Sequence, residues 1–334
     1  MDPEHLQSVN SSDVPTDVPA TVDNSSLRRG IRACVVAIYI VTCILGVLGN
    51  GLVIWATGFK LKRTAYTVWL LSLAVADFIF SLLLPLFTAN IALDNHWPFG
   101  WLLCKLSYGA LVLCLYASIF MLATISLDRC ISVVLPVWSR NHRGPRLATL
   151  LSLGVWVAAT FFSAPSFAFQ RLVPQDNRMV CSDDYLLDGK WSGSPRYPRY
   201  RALTLVRFLS AFLLPFLVIA TSYAIIRLQL RHHRLAPSSG KPFRIMAAII
   251  LAFLLCWAPY HVVSVLALLL HPQSELRRSL LVIGGPFSCS LACVNSCINP
   301  VLYIFMWQDF RDMLKKSLQR DKNQRESIHT NIET

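Results

Sequence analysis

Two charged residues, Asp128 and Arg129, directly follow a run of 22 residues that carries no formal charge. At about 1.5 Å per helical residue, this run is long enough to cross the ~30 Å hydrocarbon core of a bilayer. A charge at the edge of the hydrocarbon must be paired, hydrated or bound by a partner, because a bare charge there is costly. The Asp128-Arg129 pair is therefore a candidate contact point.

Further polar side chains lie within apolar runs, where they are expensive and usually functional. Asp77 is the most expensive, because a carboxylate inside a membrane needs hydrogen-bond partners or a cation. Arg207 lies about two helical turns inside its own run, which contains no obvious carboxylate partner, and it favours an anionic ligand. The other polar residues in the runs are Asn50, Ser118, Asn295, Ser296 and Asn299.

The composition is that of a membrane protein. Of the 334 residues, 54% are apolar and 15% are charged, whereas soluble proteins carry about 25% charged residues. The net charge of +13 is divided among short loops, which fits membrane topology better than nucleic-acid binding. No nucleophile–base pair or metal-ligand cluster stands out, so we do not expect an enzyme. We expect no cleavable signal peptide, since the first 30 residues are polar.

Seven apolar runs predict an all-α membrane protein, a seven-transmembrane helix bundle. We number them spans 1 to 7, at residues 31–58, 65–92, 102–127, 146–169, 202–226, 245–270 and 279–306. Basic residues cluster in the loops after spans 1, 3, 5 and 7, which the positive-inside rule places in the cytoplasm. Arg28, Arg29 and Arg32 at the start of span 1 favour the opposite orientation, but four consistent loops outweigh them. We therefore expect a multi-pass plasma-membrane protein with an extracellular N-terminus.

Both ends of the chain are predicted to lie outside the bundle. Residues 1–30 read as a disordered extracellular tail, in which Asn10 and Asn24 begin N-glycosylation sequons. Residues 307–334 are predicted to form a short amphipathic helix on the inner membrane surface and a short cytoplasmic tail.

The longest loop, between spans 4 and 5, contains a predicted β-hairpin. Gln170–Val173 and Arg178–Cys181 flank a turn at Asp176-Asn177. Of the ten cysteines, only Cys104 and Cys181 lie clearly at the oxidising outer face. A disulfide between them would tie the hairpin across the mouth of the bundle.

Several motifs in chain order resemble rhodopsin-like G-protein-coupled receptors. They are Gly49-Asn50, Leu73–Asp77, Asp128-Arg129-Cys130, Trp156, Cys256–Pro259 and Asn299–Tyr303. A narrower resemblance is to the chemoattractant receptors. Within that group, the sequence motifs are most similar to those of the formyl-peptide and chemerin receptors. It rests on His96–Gly100, Ser126–Val133, Pro136–Trp138, Asn141–Arg143 and Asn295–Cys297.

The resemblance implies roles for individual residues. It places G-protein coupling and switching at Asp128, Arg129, Cys130, Tyr223, Asn299, Pro300 and Tyr303. It places a structural sodium ion at Asp77, Ser118, Asn295 and Ser296, with Cys114 standing where many relatives have asparagine. Trp257 resembles the toggle residue beneath the ligand. No acid lies before span 6, so an ionic latch to Arg129 is not expected.

The resemblance also narrows the range of expected ligand classes. Leu111 stands where amine receptors have aspartate, span 7 contains no lysine for a retinal Schiff base, and Val112 replaces the aspartate of formyl-peptide receptors. Chemoattractant relatives have a basic residue at the position of Arg207 that receives acidic ligand groups. Arg201 is the next candidate if Arg207 is not the anion site. Other expected pocket residues are Tyr108, Tyr116, Trp257, Tyr260 and His261.

Three functions are compatible with seven spans. We favour a receptor for an anionic peptide or lipid, either a chemoattractant or an inflammatory mediator. Its implied partners are a heterotrimeric G protein of the inhibitory class and arrestin. A non-signalling scavenger receptor of the same fold is the alternative. A transporter is disfavoured, because we find no internal repeats and no ionisable pairs along a path.

Overall fold

The computed structural model describes residues 24–175, 178–183, 196–232, 241–271 and 274–306. Seven helices in these ranges are long and apolar enough to cross a membrane, which confirms the predicted bundle. The predicted amphipathic helix and tail at 307–334, the hairpin turn at 176–177 and Asn10 lie outside the described residues.

Four of the spans are single helices. Spans 2, 3, 4 and 6 are Ala65–Ala92, Gly100–Val134, Pro145–Phe169 and Lys241–Leu269. A short helix, Pro136–His142, lies between spans 3 and 4. Thr64 begins span 2 with a capping box, in which its hydroxyl accepts from the backbone N–H of Thr67 and the Thr67 hydroxyl accepts from the backbone N–H of Thr64.

The other three spans contain one π-helical segment each. Span 1 is Asn24–Trp55 continued by Ala56–Lys60; span 5 is Arg196–Phe208, Leu209–Leu213 and Leu214–His232; span 7 is Glu275–Ser279, Leu280–Gly284 and Gly285–Met306. The segment in span 5 ends just before Pro215, which has no N–H to donate to the preceding turn. Such one-turn segments are frequent at functional sites.

The helices extend beyond the apolar runs that predicted them. Span 1 begins at Asn24, seven residues before the predicted start and inside the predicted disordered tail. Span 3 continues to Val134, past the charged residues at 128 and 129. The reason is that hydrophobicity marks the hydrocarbon layer, whereas helical hydrogen bonding can continue into the polar region beyond it.

Close packing of span 1 against its neighbours depends on two glycines. A Cβ on Gly46 would overlap Ser81 Oγ in span 2, and one on Gly49 would lie 2.9 Å from Pro300 Cβ in span 7. Next to Gly49, the Asn50 amide donates to the carbonyls of Gly46 and Ser296 at 2.9 and 3.0 Å. Small residues with an interhelical hydrogen bond are a common way to join membrane helices.

The predicted hairpin and disulfide are both present. Strands β1 (Gln170–Gln175) and β2 (Arg178–Asp183) pair antiparallel, and Cys181 in β2 is bonded to Cys104 in span 3. A second contact joins the hairpin to the loop before span 3, where the backbone N–H of Trp97 donates to the Met179 carbonyl at 2.7 Å. We call this end of the bundle the hairpin end and the opposite one the Arg129 end.

Candidate functional site

A small cavity of about 50 Å³ lies beside Arg207 toward the hairpin end. Arg207 donates from Nη2 to Ser166 Oγ in span 4 at 3.0 Å. The residues lining the cavity with it are Val112, Leu115, Tyr116, Ala211, Trp257, Tyr260 and His261. Spans 3, 5 and 6 thus surround one guanidinium with an apolar and aromatic wall.

Two polar atoms at this cavity have no hydrogen-bond partner among the described residues. They are Trp257 Nε1 and His261 Nε2, and both side chains are buried. Tyr116, at the same wall, exchanges a hydrogen bond of 3.1 Å with Ser210 Oγ. Buried polar atoms without partners are costly, so this wall is suited to a ligand that offers polar atoms.

The structure divides the predicted ligand residues into groups. Five of them line the cavity just described: Arg207, Tyr116, Trp257, Tyr260 and His261. Tyr108 lines a different and larger cavity, of about 490 Å³, between spans 1, 2, 3 and 7. Arg201 is exposed and lines neither cavity.

The predicted sodium residues lie in the middle of the bundle. Asp77 is 2% exposed, and its two carboxylate oxygens accept from Ser118 Oγ at 2.5 Å and Asn299 Nδ2 at 2.8 Å. Ser296 and Asn295 are also buried, and Ser296 Oγ donates to the Cys293 carbonyl. No lysine or arginine of the described chain forms an ion pair with Asp77.

This chemistry fits a hard cation. Carboxylate, hydroxyl and amide oxygens are the ligands that such ions take. Asp77, Ser118, Asn295 and Ser296 supply them, and a cation would balance a buried charge that here meets only neutral donors. The network also shows that Asn299, predicted as a switch residue, contacts the predicted sodium site.

At the Arg129 end, the two charges of the Asp-Arg pair have separate partners. Arg143 Nε donates to Asp128 Oδ1 at 2.7 Å in a bidentate ion pair. The guanidinium of Arg129 lies over the ring of Tyr66 in span 2, 4.1 Å from the ring centroid. Asp128 therefore holds the loop that follows the short helix, while Arg129 is held by a cation–π contact.

Four more predicted switch residues belong to the spans around this end. Cys130 is buried in span 3, and Tyr223 is half-buried in span 5. Pro300 packs against Gly49. Tyr303 lies in the last helix of span 7, but its side chain lies outside the described part of the chain.

Sequence reasoning missed several partners. It gave no role to Ser166, to Tyr66 or to Asp94, which forms an ion pair with Arg32 of span 1, because each of these contacts is made to a part of the chain that is distant in sequence. It also overlooked the short helix after span 3, whose Val137 and Trp138 side chains are exposed. The available signal in the sequence was Pro136, because proline is favoured at the first position of a helix.

The fold and these three sites define a class of protein. Residues 49–303 match the 7 transmembrane receptor (rhodopsin family), and the chain belongs to that family. It is thus a multi-pass plasma-membrane receptor and not an enzyme. Its partners are a G protein and an extracellular ligand.

The relatives narrow the class to chemoattractant receptors. The chain is 44% identical over 292 residues to "Chemerin-like receptor 1" of Sus scrofa, covering 85% of this chain and 79% of the relative. It is 42% identical to the "C3a anaphylatoxin chemotactic receptor" of Danio rerio, covering 90% and 80%. It is 37% identical to "Formyl peptide receptor-related sequence 1" of Mus musculus, covering 93% and 88%. The predicted resemblance is confirmed.

Proposed function

We propose that the chain is a signalling receptor for an anionic chemoattractant or inflammatory mediator, whose acidic group binds at Arg207. The observation that carries this is that one cavity is lined by the Arg207 guanidinium and by the side chains of Trp257 and His261, whose Nε1 and Nε2 atoms are buried without a hydrogen-bond partner among the described residues. An indole N–H can donate to a ligand carboxylate while the guanidinium supplies the opposite charge.

The cavity volume limits what part of the ligand enters. About 50 Å³ holds a single functional group, whereas whole drug-sized ligands occupy pockets of roughly 300–1,000 Å³. The acidic terminus of a peptide or lipid is such a group. The rest of the ligand must lie above Arg207 toward the hairpin, so the ligand is held by its end.

The position of the ligand's acidic end beside span 6 suggests how the ligand activates the receptor. The acidic group contacts Trp257, which is one turn from Tyr260 and close to Pro259 in span 6. The ligand favours a state in which span 6 pivots at Pro259 and opens a cleft beside Arg129 for a G protein of the inhibitory class and, later, arrestin. Such a shift requires that the ligand bind the open state more tightly than the closed one.

A sodium ion is proposed as a second, opposing ligand. Asp77, Ser118, Asn295 and Ser296 would hold it in the closed state, where it neutralises the buried carboxylate. Cys114, which is buried in span 3, contributes a thiol in place of an amide oxygen and weakens the site.

The proposed orientation places the hairpin end outside the cell. Basic loops at the Arg129 end and the disulfide at the hairpin end support it. Glycosylation at Asn10 and Asn24 tests it. Wild-type receptor from cells should shift in mass on enzymatic deglycosylation, and a variant carrying both Asn10→Gln and Asn24→Gln should not.

The deciding experiment measures guanine-nucleotide exchange in reconstituted membranes. Purified receptor and an inhibitory-class G protein are combined with acidic peptides and lipids that bind the receptor. Exchange that rises with ligand supports a signalling receptor. High-affinity binding without exchange, on this G protein and on G proteins of the other classes assayed in parallel, would instead indicate the scavenger alternative.

A further inference from the structure

A second cavity, of about 490 Å³, lies apart from Arg207 and shares no lining residue with the Arg207 cavity. Its wall is mostly apolar. The apolar lining includes Ile31, Val35, Leu84, Phe87, Ile91 and Leu111. Its volume is within the ~300–1,000 Å³ that is typical of small-molecule sites.

The charged residues of this cavity lie together at the hairpin end. Arg28 and Arg32 come from span 1, and Asp94 comes from the loop after span 2. Asp94 accepts from Arg32 and, at 2.6 Å, from Arg178 of the hairpin. The hydrogen bond from Arg178, together with the charges of Arg32, Arg178 and Arg28, holds the pKa of Asp94 below its usual value. The charged lining residues leave one net positive charge, which suits a monoanion.

One polar atom of this wall lacks a partner in the described part of the chain. Asn90 is 7% exposed and lines the cavity, and its Oδ1 accepts no hydrogen bond from the described residues. A buried amide oxygen needs a hydrogen-bond donor, so this wall is suited to a ligand that carries a polar group as well as hydrocarbon.

The backbone of span 7 is irregular where it borders the same cavity. Leu281 and Val282 belong to the π-helical segment Leu280–Gly284, and Gly285 and Pro286 follow it directly. Since π-helical segments concentrate at functional sites, this is a separate indication that the cavity is a site.

We propose that this cavity binds a single-chain amphiphile with a carboxylate head, such as a long-chain fatty acid. The head lies between Arg28 and Arg32, and the chain lies along the apolar wall toward Tyr39 and Cys289. The charged lining residues lie at the mouth of the cavity and the rest of its wall is mostly apolar, which matches a carboxylate head followed by a hydrocarbon chain. The site is independent of the ligand proposed at Arg207.

Cys289 provides a direct readout of occupancy. It lines the cavity with a free thiol, whereas the free thiol of Cys34 in span 1 is exposed and absent from the cavity lining. The full-length receptor in lipid nanodiscs is treated with N-ethylmaleimide, with oleate or methyl oleate present. Labelling rates of both cysteines are followed by mass spectrometry of their peptides.

Oleate is expected to slow the labelling of Cys289 severalfold and to leave Cys34 unchanged. Methyl oleate should protect much less, as should oleate with the Arg28→Gln/Arg32→Gln variant. Arg28→Gln alone, which leaves the Arg32–Asp94 pair in place, keeps the test valid if the double variant fails to fold.

Three results would overturn the proposal. Equal protection of Cys289 by methyl oleate would show that binding does not depend on the charge of the carboxylate. Equal slowing of Cys34 would show general partition into the membrane. Loss of oleate protection in Arg207→Ala would place the fatty acid in the Arg207 cavity, and this result would leave the proposed function intact.

Discussion

The Asn299 amide of span 7 donates a hydrogen bond of 2.8 Å to Asp77 Oδ2 of span 2, across 222 positions of sequence. The other oxygen of Asp77 accepts from Ser118 of span 3. One buried carboxylate therefore joins three spans in the middle of the bundle. Any movement of span 7 against span 2 must break or replace the Asn299–Asp77 bond.

Asp77→Asn is expected to make agonist affinity insensitive to sodium. The amide keeps the shape and can still bond Ser118 and Asn299, but it has no charge to attract a cation. Agonist binding is measured with sodium and with a large organic cation as the ionic-strength control. A wild-type response to sodium in this variant would exclude Asp77 as a ligand of the ion.

Tyr66→Leu is expected to raise agonist-free nucleotide exchange. It removes the ring beneath Arg129, and a cation–π contact contributes about 0.5–2 kcal/mol. Tyr66→Phe is the matched control, since it keeps the ring and loses only the hydroxyl. Arg129→Ala should abolish exchange in either background while the protein still folds. Equal basal activity of the Leu and Phe variants would show that the ring does not restrain Arg129.

Cys104→Ala and Cys181→Ala are each expected to abolish ligand binding or surface expression. Loss of a native disulfide typically costs about 2–5 kcal/mol, and here it releases the hairpin from span 3. Cell-surface staining and ligand binding measure the effect. Because both variants break the same bond, the double variant should be no worse than either one. Normal binding by the two single variants would contradict the structure.

Arg207→Ala is expected to weaken binding of an acidic ligand by about 2–5 kcal/mol, as when one partner of a buried charge pair is lost. Arg207→Lys should recover only part, since it lacks the bidentate fork. Amidating or esterifying the ligand should weaken wild-type binding but have little further effect on Arg207→Ala. Additive losses would place the anion elsewhere, with Arg201 as the next residue to test.

Asp94→Asn is expected to lower the melting temperature above about pH 4 and to have less effect below it. The folded-state pKa of Asp94 is depressed, so its contribution is present above the unfolded-state pKa and is lost as pH falls through the folded-state pKa. The effect should be small, because both ion pairs are partly exposed. Thermal unfolding of purified receptor from pH 8 to pH 3.5 measures it, and a difference that grows on acidification would contradict the assignment.

The sequence predicts the spans and the hairpin, because each depends on a local signal, and the disulfide, because only two cysteines lie clearly at the outer face. It does not predict which side chains share a cavity. Tyr108 and Tyr116 are eight residues apart in span 3, which at about 100° per residue leaves them ~80° apart around the helix. They therefore line different cavities, although both were expected around one ligand. The partner of Arg129 was equally hidden, since Tyr66 lies on another span.

Because span 5 contains the π-helical segment Leu209–Leu213, the number of residues in that segment sets how side chains before and after it are oriented around the helix. Each residue added to or removed from a helix turns everything beyond it by about 100°. The wider turn thus sets the angle between Arg207 on one side and Tyr223 on the other. Deleting a single residue there would keep every side chain of both sites, yet it would turn the guanidinium away from Trp257. One irregular turn thus sets the angle between the proposed ligand site at Arg207 and the proposed coupling residue Tyr223.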